Sequence, residues 1–504
     1  MSVRINDTSI SDIFQQMLPK IMETEKMLHI IEKLDDVGFQ SIEVCEGSSF
    51  ALSLRHLKED PWERLTKIRN RINKTKIRML LKTDSINGLK YLSKDVLKLY
   101  IENVGSHGVD IIRVSDPLNN YRNLEVVIDE CRSQGISTEG TIYYAKSPNF
   151  SMEYFLKLAR ELDNMRVDSI CIKDVAGELG PYEAYDLITA LKNKFKIPLN
   201  IHIANTSEVD ICTYIKAIEA GVDSIDSSLS IISERDHQSQ LELLSDVLKG
   251  SKFEINANKT LLGEISQALY TLLKKDKKDQ STTDSEKKYY VQNNKTVKYV
   301  TKGMLANLSY LLEKLNCEQQ LDVAIEEVIH IRKDLGYPPL VSPISQIIVV
   351  QAVLNVISEK RYLLVSDEMK KLINEQFGEF PLKNEVKDTI LAGQSSKQNK
   401  IKVNHSLDNI KVLLANNLQK DEDLLTYAIY PSYAEEFFLY RKEQFACCEE
   451  ERIKNTTKAV EQEDFLPNKQ LTGDDNELIQ VKHETLLASL MKENAMPSLL
   501  SIDG

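Results

Sequence analysis

Short apolar runs alternate with longer amphipathic stretches through the first half of the chain. The runs are rich in β-branched residues: VRIND from Val3, QSIEVC up to Cys45, KIRMLL up to Leu81, VDIIRV up to Val114 and ISTEGTIYY up to Tyr144. Three more close at Lys173, near His202 and near Asp226. Such runs, each followed by a 3.6-residue apolar period, predict strands followed by helices. About eight such units in roughly 250 residues is the size of a (β/α)8 barrel, an α/β TIM-barrel fold. An open doubly wound sheet would need a glycine-rich first turn, and the first strand here leads instead into DTSISDIFQQ.

The pattern then changes. LKKDKKDQSTTDSEKKYY, around Lys274 to Tyr290, is polar and poor in apolar residues and reads as a linker. Helical periodicity resumes in LSYLLEKL, AIEEVIHIRKDL and SQIIVVQAVLNVI, the last two separated by the turn LGYPPLVSP, and again in DLLTYAIY and AEEFFLYRKEQF. The expected organisation is a barrel over 1–274, a polar linker over 275–296, a mainly helical domain over 297–448 and a polar tail over 449–504 that reads as disordered.

A barrel gathers the C-terminal ends of its strands, and the loops after them, at one mouth. Asp12, Glu43, Arg113, Thr141, Lys173, His202 and Asp226 are expected there. Lys173 ends a strand that Ala176-Gly177 breaks, and His202 and Ala204, two residues apart, share a strand face. A His-x-His at that spacing is a metal clamp, of which this chain has the first half. Taken singly, Lys173 reads as an ordinary strand-end lysine and His202 as a hydrogen-bonded core histidine.

Composition narrows the classes. Across 504 residues the net charge is −12 and 42% of residues are hydrophobic, which suits a globular protein and disfavours nucleic acid and anionic membranes as partners. Seven cysteines show no paired zinc spacing. With no signal peptide and no apolar run long enough for a membrane span, the expected compartment is the cytoplasm, with thiols reduced.

The motifs together resemble the carboxyltransferase component of biotin-dependent carboxylases, the family that holds the carboxyltransferase subunit of pyruvate carboxylase, the oxaloacetate decarboxylase alpha subunit and the central transcarboxylase subunit. The resemblance spans roughly Asp7 to Arg441. It rests on LDDVGFQSIEV at Leu34, LRHLKEDPWERL at Leu54, RVSD at Arg113, YRNL at Tyr121, GTIYYAKSP at Gly140, IKDVAG at Ile172 and EAGVDSID at Glu219. In the second half it rests on GMLANL at Gly303, RKDLGYPPLVSPISQIIVVQAVLN at Arg332 and EDLLTYAIYPSYAEEFF at Glu422.

The resemblance implies carboxyl transfer between carboxybiotin and pyruvate or oxaloacetate, with a divalent metal of the zinc or manganese class polarising the keto oxygen. It assigns the metal ligands to Asp12, a carbamylated Lys173 and His202, with Ala204 where the family has a second histidine. Carbamylation suits a partly buried amine, because burial favours the neutral form that captures carbon dioxide. Gln15 and Arg113 are implied to hold the substrate, and Ser342 stands where the family shuttles a proton through a threonine. No Ala-Met-Lys-Met biotin site is present, since Ala495-Met496 is followed by Pro497. Biotin is therefore expected on a separate carrier protein, with a biotin carboxylase subunit as a further partner and a homo-oligomer as the assembly.

The departures are local. Ser11 replaces an arginine, Phe14 a histidine and Ala204 a metal ligand, while IISERDHQSQ, bearing Arg235, Asp236 and His237, replaces a glycine- and threonine-rich turn. Loss of a ligand predicts a metal site weakened by at least the 10- to 100-fold typical of outer-shell losses. The expected function is a divergent carboxyltransferase; the alternative is a catalytically impaired paralogue serving as a structural or regulatory subunit. A metal-dependent aldolase would explain the barrel but not the second half.

Overall fold

The computed structural model describes residues 3–16, 23–82, 93–204, 209–229, 241–255, 257–276, 300–377, 382, 384–391, 407–414 and 418–444. The side chains of Phe14 and Gln15, Asn205, the 231–237 loop, the linker beyond 276 and the tail from 449 lie outside the described residues.

The eight apolar runs become eight strands: β1 Arg4–Asp7, β2 Ser41–Glu46, β3 Lys76–Lys82, β4 Ile111–Ser115, β5 Ser137–Tyr143, β6 Ser169–Asp174, β7 Leu199–Ile203 and β8 Ser224–Ser227. All neighbours pair in parallel, and β1 pairs with β8 to close the barrel, with Asn6 opposite Asp226. Closure removes the open-sheet alternative. The intervening helices are amphipathic and lay one face on the barrel; Met152–Asn164, for example, buries Phe155, Leu156, Leu158, Ala159 and Leu162. At Gly140 of β5 that helix comes so near that a Cβ would lie 2.8 Å from Leu162 Cδ2, so any side chain there would force Leu162 to move. Helix starts follow from caps: Asp60 accepts from the N–H groups of Trp62 and Glu63 ahead of Pro61–Arg69, and Ser93 caps Lys94–Ser106.

After the barrel, helices Lys302–Lys314, Leu321–Asp334, Ile344–Ile357, Asp367–Ile373 and Asn384–Leu391 build a second apolar cluster around Leu308, Val328, Ile331, Ile348 and Met369. Leu118 from the loop after β4, and Ala176 from the loop after β6, belong to this cluster rather than to the barrel's. The chain then returns to the barrel. Helices Leu407–Leu414 and Glu422–Ile429 place Ile410, Leu425 and Ile429 in the barrel cluster, together with Phe437. There Trp62 Nε1 donates to Thr426 Oγ1 at 3.0 Å, and Phe50 and Tyr100 meet the indole edge-on. The helical sequence expected over 297–448 thus divides its apolar contacts between two clusters. Among the described residues, no helix is long and apolar enough to cross a membrane.

Candidate active site

Alternation along each strand sends every second side chain into the barrel. In β3 this selects Arg78, in β4 Arg113, in β5 Glu139, in β7 Asn200 and His202, and in β8 Ser224 and Asp226. They form one hydrogen-bonded layer. Arg113 donates to Asp226 Oδ2 at 2.5 Å and Oδ1 at 3.1 Å, to Glu43 at 3.4 Å and to Glu139. Arg78 donates to Glu43 and to Asp226, both at 3.1 Å. Asn200 adds a bond to Asp226 at 2.8 Å, and Asn6 bridges Asn200 and Asp226.

Burial opposes the charges of Glu43, Arg78, Arg113 and Asp226, and pairing reverses the effect. Arg78, Arg113 and Lys173 hold the Glu43 carboxyl below its usual range against burial, and Arg113 and Arg78 hold Asp226 far below. Three cations, Arg78, Arg113 and Lys173, thus face three carboxylates, Glu43, Glu139 and Asp226. His202 is the neutral member: burial, reinforced by Lys173, pushes its pKa down to about 4.

This layer corrects the sequence-based placement. Glu43 and Arg113 were expected at the mouth, yet they lie near mid-strand and at most 2% exposed, while Asp226 is one position before the end of β8 and wholly buried. The Arg113 guanidinium is engaged by three carboxylates, those of Asp226, Glu43 and Glu139. Thr141 is also interior and wholly buried, and among the described residues its Oγ1 has no hydrogen-bond partner. Arg78 and Glu139, central to the layer, were missed from sequence.

His202 and Lys173 carry this layer to the ends of β7 and β6. Lys173 and His202 are register partners on β6 and β7, and Lys173 is 8% exposed. His202 Nδ1 lies 3.0 Å from Asp226 Oδ2. With Nδ1–H donated to that carboxylate, the ring is fixed in one tautomer whose Nε2 carries the lone pair. Asp12 sits in helix Ser9–Gln16 after β1 and accepts from Thr8 Oγ1 at 2.8 Å, while Thr8 N bonds to Ser227 O of β8. Ala204 follows His202 with a methyl group and offers no donor. Among the described residues, no group of three or more His, Cys, Asp or Glu is arranged to hold a metal.

The second cluster docks over the same end of the barrel. Asp174, buried and raised to about 7 by that burial, accepts from the N–H groups of Ala176 and Leu179 and shapes the loop after β6. Glu178 of that loop binds Arg332 bidentately at 2.5 and 2.9 Å. From the loop after β5, Ser147 Oγ donates to Gly336 O at 3.2 Å. These bonds hold the start of the LGYPPLVSP turn against the mouth loops. Ser342 is half-buried near the end of that turn, and among the described residues no hydrogen bond joins it to the barrel.

Comparison with known proteins gives a consistent result. Residues 2–269 match the HMGL-like family model, and residues 302–486 match the model described as conserved carboxylase domain. A pyruvate carboxylase subunit of Methanocaldococcus jannaschii is 35% identical over 86% of this chain and 77% of its own length. The 2-oxoglutarate carboxylase large subunit of Hydrogenobacter thermophilus is 30% identical over 87% of this chain and 69% of its own. In fold, the carboxyl transferase domain of Rhizobium etli pyruvate carboxylase superposes with a TM-score of 0.77 at 23% identity, covering 87% of this chain and 77% of that one.

Proposed function

The chain belongs to the carboxyltransferase family of biotin-dependent carboxylases, and from that premise we propose that it moves a carboxyl group between carboxybiotin on a separate carrier protein and a small 2-oxo acid. The class of acceptor follows from the two relatives, whose names specify pyruvate and 2-oxoglutarate; pyruvate and its product oxaloacetate are the first choice here. One observation carries the reading: His202 Nδ1 lies 3.0 Å from Asp226 Oδ2, on the strand position that pairs with Lys173.

Asp12, His202 and carbamylated Lys173 would hold a divalent cation, which supplies polarisation of the keto oxygen and stabilisation of enolate charge. Charge counting supports coupling between the modification and the cation. Carbamylation exchanges an ammonium for an anion, a change of two negative charges that a divalent cation offsets. Arg113 and Arg78 serve this arrangement from below by fixing Asp226. Ser342 and Gln15 are assigned to proton transfer and substrate contact on the resemblance alone.

The second reading, an impaired subunit that keeps the fold and the carrier surface, is favoured by Ala204 and by Ser11, which is buried where the family carries a guanidinium. The two separate in an oxaloacetate decarboxylation assay with free biotin and with a biotinylated carrier. Turnover abolished by Lys173→Ala supports transfer on a reduced ligand set. Carrier binding without turnover supports the impaired subunit.

A further inference from the structure

Tyr143, Lys173 and His202 are successive register partners near the mouth ends of β5, β6 and β7. Tyr144 stacks on Phe155 of the helix outside the barrel, and Glu139 of the same strand bonds to Arg113 inside it. Alternation therefore turns Tyr143 inward, on the face of Lys173. Its ring is buried and leans from β5 toward β4, where the hydroxyl donates to Ser115 Oγ at 3.2 Å. The backbone that carries the ring is held on both edges. Asn119, in the left-handed region at φ 57°, donates from Nδ2 to Tyr143 O at 2.9 Å and accepts from Tyr143 N at 2.8 Å, while Tyr144 N donates to Lys173 O at 2.9 Å. Leu118, beside Asn119, is fixed in the second apolar cluster.

The side chains around this level differ in bulk and charge. Ser115 and Ala204 are small, and Tyr143 fills the sector between β4 and β5. On the other side of Lys173 and His202 stand two carboxylates: Asp226, bonded to His202, and Asp12, tied through Thr8 to the end of β8. That side disfavours an apolar or anionic tail, so the tail of a bound acid is directed toward Tyr143. We infer that Tyr143 is the wall that sets acceptor length, admitting pyruvate and excluding 2-oxo acids with three carbons beyond the keto group, such as 2-oxopentanoate and 2-oxoglutarate. The inference rests on the 2-oxo acid reading of the site and adds the residue that limits its substrate.

NMR titration of the full chain with pyruvate and with 2-oxopentanoate, zinc and bicarbonate being present, tests it in Tyr143→Ala, Tyr143→Leu and Tyr143→Phe beside the unmodified protein. A buried methylene is worth about fourfold in affinity, so Tyr143→Ala should raise the affinity for 2-oxopentanoate relative to pyruvate by roughly 15-fold. Tyr143→Leu opens less space and should give about fourfold, which carries the test where the alanine variant does not fold. Tyr143→Phe keeps the ring, loses the bond to Ser115, and should retain the preference for pyruvate. An unchanged preference in the folded shortened variants, with pyruvate binding intact, overturns this inference and leaves the 2-oxo acid reading standing. An equal shift in Tyr143→Phe also overturns it, since the effect would then lie in the hydroxyl and not in the bulk. An unmodified chain that binds neither acid overturns the 2-oxo acid reading and this inference together.

Discussion

Replacing Arg113 with methionine separates its observed position from the substrate role that the resemblance implies. The substitution keeps the length of the stem and removes a guanidinium that donates to Asp226 twice, to Glu43 and to Glu139, with no exposed surface on the arginine. Arg78 remains, but it would then be the only arginine facing Glu43, Glu139 and Asp226. Removing one partner of a buried ion pair typically costs about 3–5 kcal/mol, because the other partner stays buried and uncompensated. A substrate-binding arginine at a solvated mouth would cost less than about 1 kcal/mol. By thermal unfolding of ligand-free protein, the expected fall in Tm is on the order of 5–10 °C. Adding Asp226→Asn should recover part of that loss, since it removes the charge left without a partner, and the recovery measures their coupling. A fall under about 2 °C for Arg113→Met would refute the reasoning and return Arg113 to the substrate.

Ala204→His should tighten divalent-metal binding, read by calorimetry, by roughly tenfold or more, and Ser11→Arg with Ala204→His should raise oxaloacetate decarboxylation above either single change; unchanged affinity would mean the pocket cannot seat a fourth ligand. Metal affinity of the unmodified chain should rise with bicarbonate and lose that dependence in Lys173→Ala, whereas a bicarbonate-independent affinity would exclude the charge-coupled carbamate. Glu178→Gln should leave the barrel intact yet speed amide hydrogen exchange across residues 336–341, because it weakens the bidentate contact with Arg332; unaltered exchange would show that the apolar cluster alone fixes the turn. Asp35 receives backbone N–H bonds from Asn73, Lys74 and Thr75, which outweigh burial and lower its pKa from 3.8. A carboxylate with a depressed folded pKa stabilises the protein above its unfolded value and loses that contribution as pH falls. Asp35→Asn should therefore flatten the decline in stability below about pH 4, and an identical acid limb would contradict it.

All eight strands were legible because each is a short β-branched run closed by a turn, and the helix patterns between them allowed only parallel pairing. The depth of a residue along its strand was not legible. Arg113 stands two positions before the end of β4, and polarity directed into a barrel has the same period as polarity directed at solvent, so nothing in the sequence marked Arg78 and Glu139 as interior. Lys173, His202, Asp12 and Asp226 were singled out as strand-end or loop residues, but the bond between Asp226 and His202 appears only when β7 and β8 are neighbours. The return of residues 407–438 to the barrel had no local signal, since Trp62 and Thr426 are 364 positions apart.

That return has a consequence for synthesis in the cell. The strands are complete by Ser227, yet the apolar face around Trp62, Phe50 and Tyr100 receives its cover only when the segment from Ile410 to Phe438 has been made. At about 5–20 residues per second, some ten to forty seconds separate the two events. During that interval the nascent chain presents an aromatic surface with an indole N–H awaiting its acceptor, a natural point for chaperone engagement. A stop codon between the barrel and the helical region would leave that surface permanently uncovered.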